Sequence, residues 1–118
     1  MKKSHYISQS QSMELIFNTL KELRTKNYTL QFRREISCLY CLELHQWIMP
    51  ENFTVDESYY FEEMINPDAD RMLYAISLSQ GGKGFLIDTS TVYMDNISRE
   101  MAERLNVIST YEDFTNSN

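Results

Sequence analysis

A chain of 118 residues, 42% hydrophobic and 24% charged with 3 Gly and 2 Pro, has the length and composition of one globular domain. That composition excludes collagen-like, Pro/Gly-rich and wholly disordered chains, and no apolar run reaches the roughly 20 residues of a membrane-spanning helix. A net charge of −6 repels phosphate backbones and disfavours generic nucleic-acid binding.

Residues 1–11 are polar and rich in Ser and Gln, which predicts a flexible tail. Lys2 and Lys3 have no apolar stretch behind them, so no secretory leader is expected. Residues 12–111 form one continuous periodic region, expected as a single domain, and residues 112–118 a second flexible tail. Met13, Ile16, Phe17, Leu20 and Leu23 recur at helical spacing and predict one buried helix face. Ser12 is the candidate N-cap, and Asn27, tolerant of a left-handed conformation, the stop.

From Tyr28 to Leu44 the period changes to two. Ile36, Cys38, Tyr40, Leu42 and Leu44 then fall on one face of a strand. A further strand is expected from about Tyr59 to Ile65, closed by the turn Asn66-Pro67-Asp68. Met72 to Ser79 and Lys83 to Thr89 flank Gln80-Gly81-Gly82 as a β-hairpin, and Val92 to Met94 extend the sheet. A short helix follows from Ser98 to about Leu105, with Ser98 as cap and Ile97 stapled to Ala102. Helix, antiparallel strands and helix predict an α+β fold: one two-layer domain, an antiparallel β-sheet with an N-terminal and a short C-terminal helix packed on it.

Several motifs have spacings that invite chemistry. Cys38-Leu39-Tyr40-Cys41 with His45 resembles half a zinc site, but a C-x-x-C pair needs a tight turn, and in a strand the two thiols diverge. Two cysteines without a leader read instead as free core thiols in a reducing, cytoplasmic setting. Asn66-x-Asp68-x-Asp70 starts like a calcium loop, yet Arg71 stands where Gly is needed and Ser77 where a bidentate Glu is needed. Gly82-Lys83-Gly84 lacks the opening glycine and the following Ser or Thr of a phosphate loop. No nucleophile elbow is present. The sequence therefore calls for no metal and no cofactor.

Charge is uneven. Residues 1–50 carry seven bases and four acids, whereas residues 51–70 carry seven acids and no base. In that segment the acids interleave with Phe53, Tyr59, Tyr60 and Phe61, a mixture suited to a polar rim around aromatic anchors. Read plainly, the same pattern sends aromatics to the core and acids to water. The candidate binding residues are Asp56, Glu57, Tyr60, Glu62 and Glu63, with Asn66 and Asp68 in the adjoining turn and Asp88 at the end of an apolar run.

Met49 to Glu57, Tyr59 to Glu62, Asn66-Pro67-Asp68 and Leu73 to Ser77 carry a resemblance, as do Gly82-Lys83-Gly84, Phe85 to Asp88, Val92-Tyr93, Ile97-Ser98 and Glu100-Met101. On these residues the chain resembles a family of small bacterial proteins that often carry the label phosphoribosylpyrophosphate synthetase. It departs at Glu63 and at Thr89-Ser90-Thr91, where the family has a small residue and an Ala/Tyr/Gly run. Phe85 to Thr91 echoes the first half of a phosphoribosyl-binding loop but lacks its second acid and its glycines. The resemblance implies a shared fold. Two functional expectations result: a non-catalytic domain binding a protein partner through the acidic segment, or an enzyme or binder for a phosphorylated, nucleotide-like small molecule.

Overall fold

The computed structural model describes residues 3–8, 12–62, 70–89 and 96–106. In chain order they form β1 (Lys3–Ser8), α1 (Ser12–Thr25), β2 (Leu30–Arg34), β3 (Leu39–Cys41), β4 (Gln46–Ile48) and a 3-10 turn (Pro50–Asn52). β5 (Phe53–Glu62), β6 (Arg71–Leu78), β7 (Lys83–Thr89) and α2 (Arg99–Leu105) complete the fold. The seven strands make one sheet in the order β1-β5-β6-β7-β2-β3-β4. The α+β class expected from the sequence is the class that forms.

Several details differ from expectation. The sheet is mixed, because β1 runs parallel to β5 and β2 parallel to β7. Lys3–Ser8, expected in a flexible tail, is an edge strand in register with Glu57–Glu62. An edge strand needs backbone partners more than apolar side chains, so a polar composition does not forbid it. A further difference is that the helices cover opposite faces. Ile16 and Leu23 of α1 pack with Phe61, Leu73, Ala75 and Phe85, whereas Met101, Ala102 and Leu105 of α2 pack with Val55, Tyr74 and Ile76. Consecutive residues of β6 thus serve opposite layers, as strand alternation requires.

α1 buries a narrower stripe than its spacing suggests. Ile16 and Leu23 are buried and Leu15 and Leu20 partly so, but Met13 and Phe17 are 63% and 61% exposed. Asn27 does end the helix region, at φ 73°. Ser98 caps α2 by accepting from the Met101 backbone N–H at 3.2 Å, and Asn106 closes it in the left-handed region. The β6–β7 hairpin turns through Gly81 and Gly82, both at φ above 100°.

The long period-two run is broken into β2, β3 and β4. Leu39 and Cys41 are buried there, while Ile36, Leu42 and Leu44 are exposed. Of the face expected from the sequence Cys38 is buried, but next to Tyr40 the core positions are the odd-numbered Leu39 and Cys41. His45 at φ 52° helps close the β3–β4 hairpin, a left-handed position that no Gly or Asn announces. Cys38 and Cys41 are free and buried, as core thiols should be.

β5 is the element that links the two layers. Its pairing with β6 shifts between Val55 and Glu57, leaving Asp56 as the extra residue of a β-bulge. Phe53 and Val55 pack on the α2 side, while Phe61 and Tyr59 pack on the α1 side. All four are odd-numbered, so a regular strand would send them to one face. The bulge switches the face midway. The expected strand end at Ile65, the Asn66-Pro67-Asp68 turn, Val92 to Met94 and residues 112–118 lie outside the described residues.

Candidate functional site

An open cleft of about 580 Å³ lies beside the first half of β5. Pro50 and Glu51 of the 3-10 turn form one end, Thr54, Val55 and Asp56 the floor, and Glu100, Glu103 and Arg104 of α2 the far wall. Residues three and four apart share a helix flank, which is why these three α2 side chains act together. Thr54 is exposed and Val55 buried on opposite faces of the strand, yet both line the cleft. The cleft therefore sits at the edge of β5 rather than over one face.

Among the described residues that edge is open. β1 covers β5 only from Glu57 to Glu62, and among the described residues no strand pairs with the outer side of Phe53–Asp56. Among the described residues its lining holds four acids (Glu51, Asp56, Glu100 and Glu103) and one base, Arg104. The local field favours cations.

Asp56 is held in place from behind. Tyr28 donates to its Oδ2 at 2.7 Å, and the Ser77 hydroxyl donates to the same oxygen. Burial first, then the hydrogen bond to Asp56, pushes the Tyr28 phenol up to about 12. Lys83 Nζ stands 4.5 Å from the Tyr28 ring centroid, a cation–π contact. Asp56 thus lines the cleft at the bulge, while a tyrosine and a serine on the α1 side hold its carboxylate.

The remaining candidates scatter. Glu57 accepts from the Tyr59 hydroxyl. Desolvation is the main cause, and Glu57 the second, that raises the Tyr59 phenol well above its ordinary range. Tyr60 donates to Asp70 at 2.6 Å, and Asp70 is buried. Along a strand rising about 3.3 Å per residue, Tyr60 stands roughly 13 Å beyond Asp56. Glu62 is half-buried at the end of β5, and Glu63, Asn66 and Asp68 lie outside the described residues. Asp88 forms a partly buried ion pair with Arg34, whose other nitrogen donates to the Asn96 carbonyl at 2.6 Å. Phe53 and Phe61 are core residues and offer no anchor to a partner.

Of the sequence candidates among the described residues, then, only Asp56 lines the cleft. Glu51, Glu100, Glu103 and Arg104 were not singled out, because the fold brings a segment near residue 100 against one near residue 53. Sequence reading also passed over the far end of the sheet. There the Arg33 guanidinium lies 4.9 Å from the Tyr40 ring centroid, and Tyr40 packs at 4.7 Å on Trp47, which is 58% exposed.

Among the described residues no group of three or more His, Cys, Asp or Glu side chains is arranged to hold a metal ion. Burial pushes the Cys38 thiol up, with Glu35 adding to the effect, which lowers its thiolate fraction. No helix among the described residues is long and apolar enough to cross a membrane. Compared with protein-family models, curated proteins and solved structures, the chain matches none.

Proposed function

We propose that this protein is a small binding domain that engages a positively charged part of a partner protein in the cleft between β5 and α2. The observation that carries the reading is that Glu51, Asp56, Glu100 and Glu103 line one open cleft, with Arg104 the one cation among the described lining residues. Rim charges of this kind steer association and select partners by sign more than they add affinity. Tyr60, expected as an anchor, spends its hydroxyl on Asp70 and is not among the residues that line the cleft.

The phosphorylated-ligand reading finds less support. Of the cations closest to the residues that suggested it, Lys83 lies on the Tyr28 ring and Arg34 is paired with Asp88. The cleft itself would repel a phosphate.

Affinity capture with the unmodified domain and with a Glu51→Gln, Glu100→Gln, Glu103→Gln variant tests the proposal. All three side chains are exposed, so the variant should fold as the parent does. A partner retained at low salt, released at high salt and lost with the variant is the expected result. Equal recovery by both proteins would overturn it.

A further inference from the structure

The edge of β5 beside the cleft, unpaired among the described residues, suggests how the partner binds. Resting on the reading above, we infer that the cleft takes an extended basic peptide segment, added as a strand along the outer edge of Phe53–Asp56 and lying between that edge and α2.

Three observations converge. β1 pairs with β5 only from Glu57 onward, so the outer backbone groups of Phe53–Asp56 have no strand partner among the described residues. Four residues of edge span roughly 13 Å, enough to register a short extended segment. The cleft runs beside this edge, with Thr54 and Val55 both reaching it from opposite faces of the strand. Its far wall is acidic, supplied by Glu100 and Glu103, and Asp56 and Glu51 stand on the strand side. Strand addition takes affinity from main-chain hydrogen bonds and specificity from alternate side chains. Here alternate side chains of the guest would face α2, so Lys or Arg at every second position is the matching pattern. An open edge is also a hazard for self-pairing, and carboxylates along it discourage a second copy of this acidic chain while admitting a basic guest.

A displayed library of random decapeptides, selected on the intact protein, is the test. Enriched sequences should be basic at alternate positions. Binding of a selected peptide should fall at least tenfold with Glu100→Lys and Glu103→Lys together, and measurably with Glu103→Gln alone should the double variant fold poorly. Methylating the peptide's alternate backbone nitrogens should abolish binding in one phase and spare it in the other, because only one set faces β5. Amide exchange in Phe53–Asp56 should slow in the complex. A library yielding no basic binder overturns the inference. So does a bound basic peptide that leaves amide exchange in Phe53–Asp56 unchanged, although the acidic-cleft reading survives that outcome. Binding indifferent to the Glu100 and Glu103 changes would overturn both.

Discussion

The Tyr28 hydroxyl, just beyond the end of α1, donates to Oδ2 of Asp56, the extra residue in the β5 bulge, at 2.7 Å. One hydrogen bond thus ties the helix layer to a residue that lines the cleft. Hydrogen bonds to a charged acceptor contribute about 1.5–3 kcal/mol, so Tyr28→Phe should cost about 2 kcal/mol in a urea unfolding series. Asp56→Asn should cost less on the Tyr28→Phe background than on the parent, since the two share one interaction. Additive effects would show that the pair is not energetically coupled.

Tyr28, Tyr59 and Tyr74 have phenols raised above their ordinary value of 10.0, with burial the largest cause for each. In the unfolded chain a tyrosine loses its proton near pH 10. The folded chain holds these protons longer, so between the two values the native state binds more protons than the unfolded state. Stability is therefore intact below about pH 10 and falls as pH rises toward 12 and beyond. Urea midpoints measured across that range should decline, and Tyr28→Phe should flatten the decline. A constant midpoint would mean that these phenols titrate normally.

Asp88 separates a site residue from a structural one. Its ion pair with Arg34 is mostly shielded, the side chains being 16% and 14% exposed. Removing one partner of such a pair strands the other, so Asp88→Ala should cost about 3 kcal/mol. Replacing both, as Arg34→Met with Asp88→Leu, should recover much of that loss. Thermal unfolding of the three variants checks the order. An Asp88→Ala protein as stable as the parent would return Asp88 to the list of candidate ligand contacts.

The α2 cap, the Gly81-Gly82 hairpin and the Asn27 stop were legible because each rests on local chemistry. A cap needs one hydroxyl, and a tight turn needs residues that tolerate positive φ. The N-terminal strand, the core positions beside Tyr40 and the bulge at Asp56 were not. Each depends on pairing with a distant segment, and a one-residue slip exchanges the faces of a whole strand. The odd-numbered run Phe53, Val55, Tyr59 and Phe61 looks like one apolar face until the bulge divides it. For the same reason the acidic stretch gave Asp56 but not Glu100 and Glu103, which lie more than 40 residues away in the chain.

Gly84 decides whether Gly82-Lys83-Gly84 serves a ligand or the sheet. It pairs with Leu30 where β7 meets the parallel β2, and a Cβ there would stand 2.3 Å from the Leu30 carbonyl oxygen. Backbone cannot retreat as a flexible side chain can, so Gly84→Ala must spread the two strands. Overpacking of this kind should cost about 3 kcal/mol or more. Gly81 offers a control within the same hairpin. Its Cβ would meet nothing within 4 Å, but its φ of 101° disfavours a side chain, so Gly81→Ala should cost only about 1 kcal/mol. Differential scanning calorimetry should therefore rank the parent, Gly81→Ala and Gly84→Ala in falling order of midpoint. If this glycine instead cradled a phosphate, Gly84→Ala would keep the parent's midpoint and lose only the stabilisation conferred by a phosphorylated ligand such as ribose 5-phosphate. A parent-like midpoint for Gly84→Ala would therefore refute the packing account and reopen the phosphate reading.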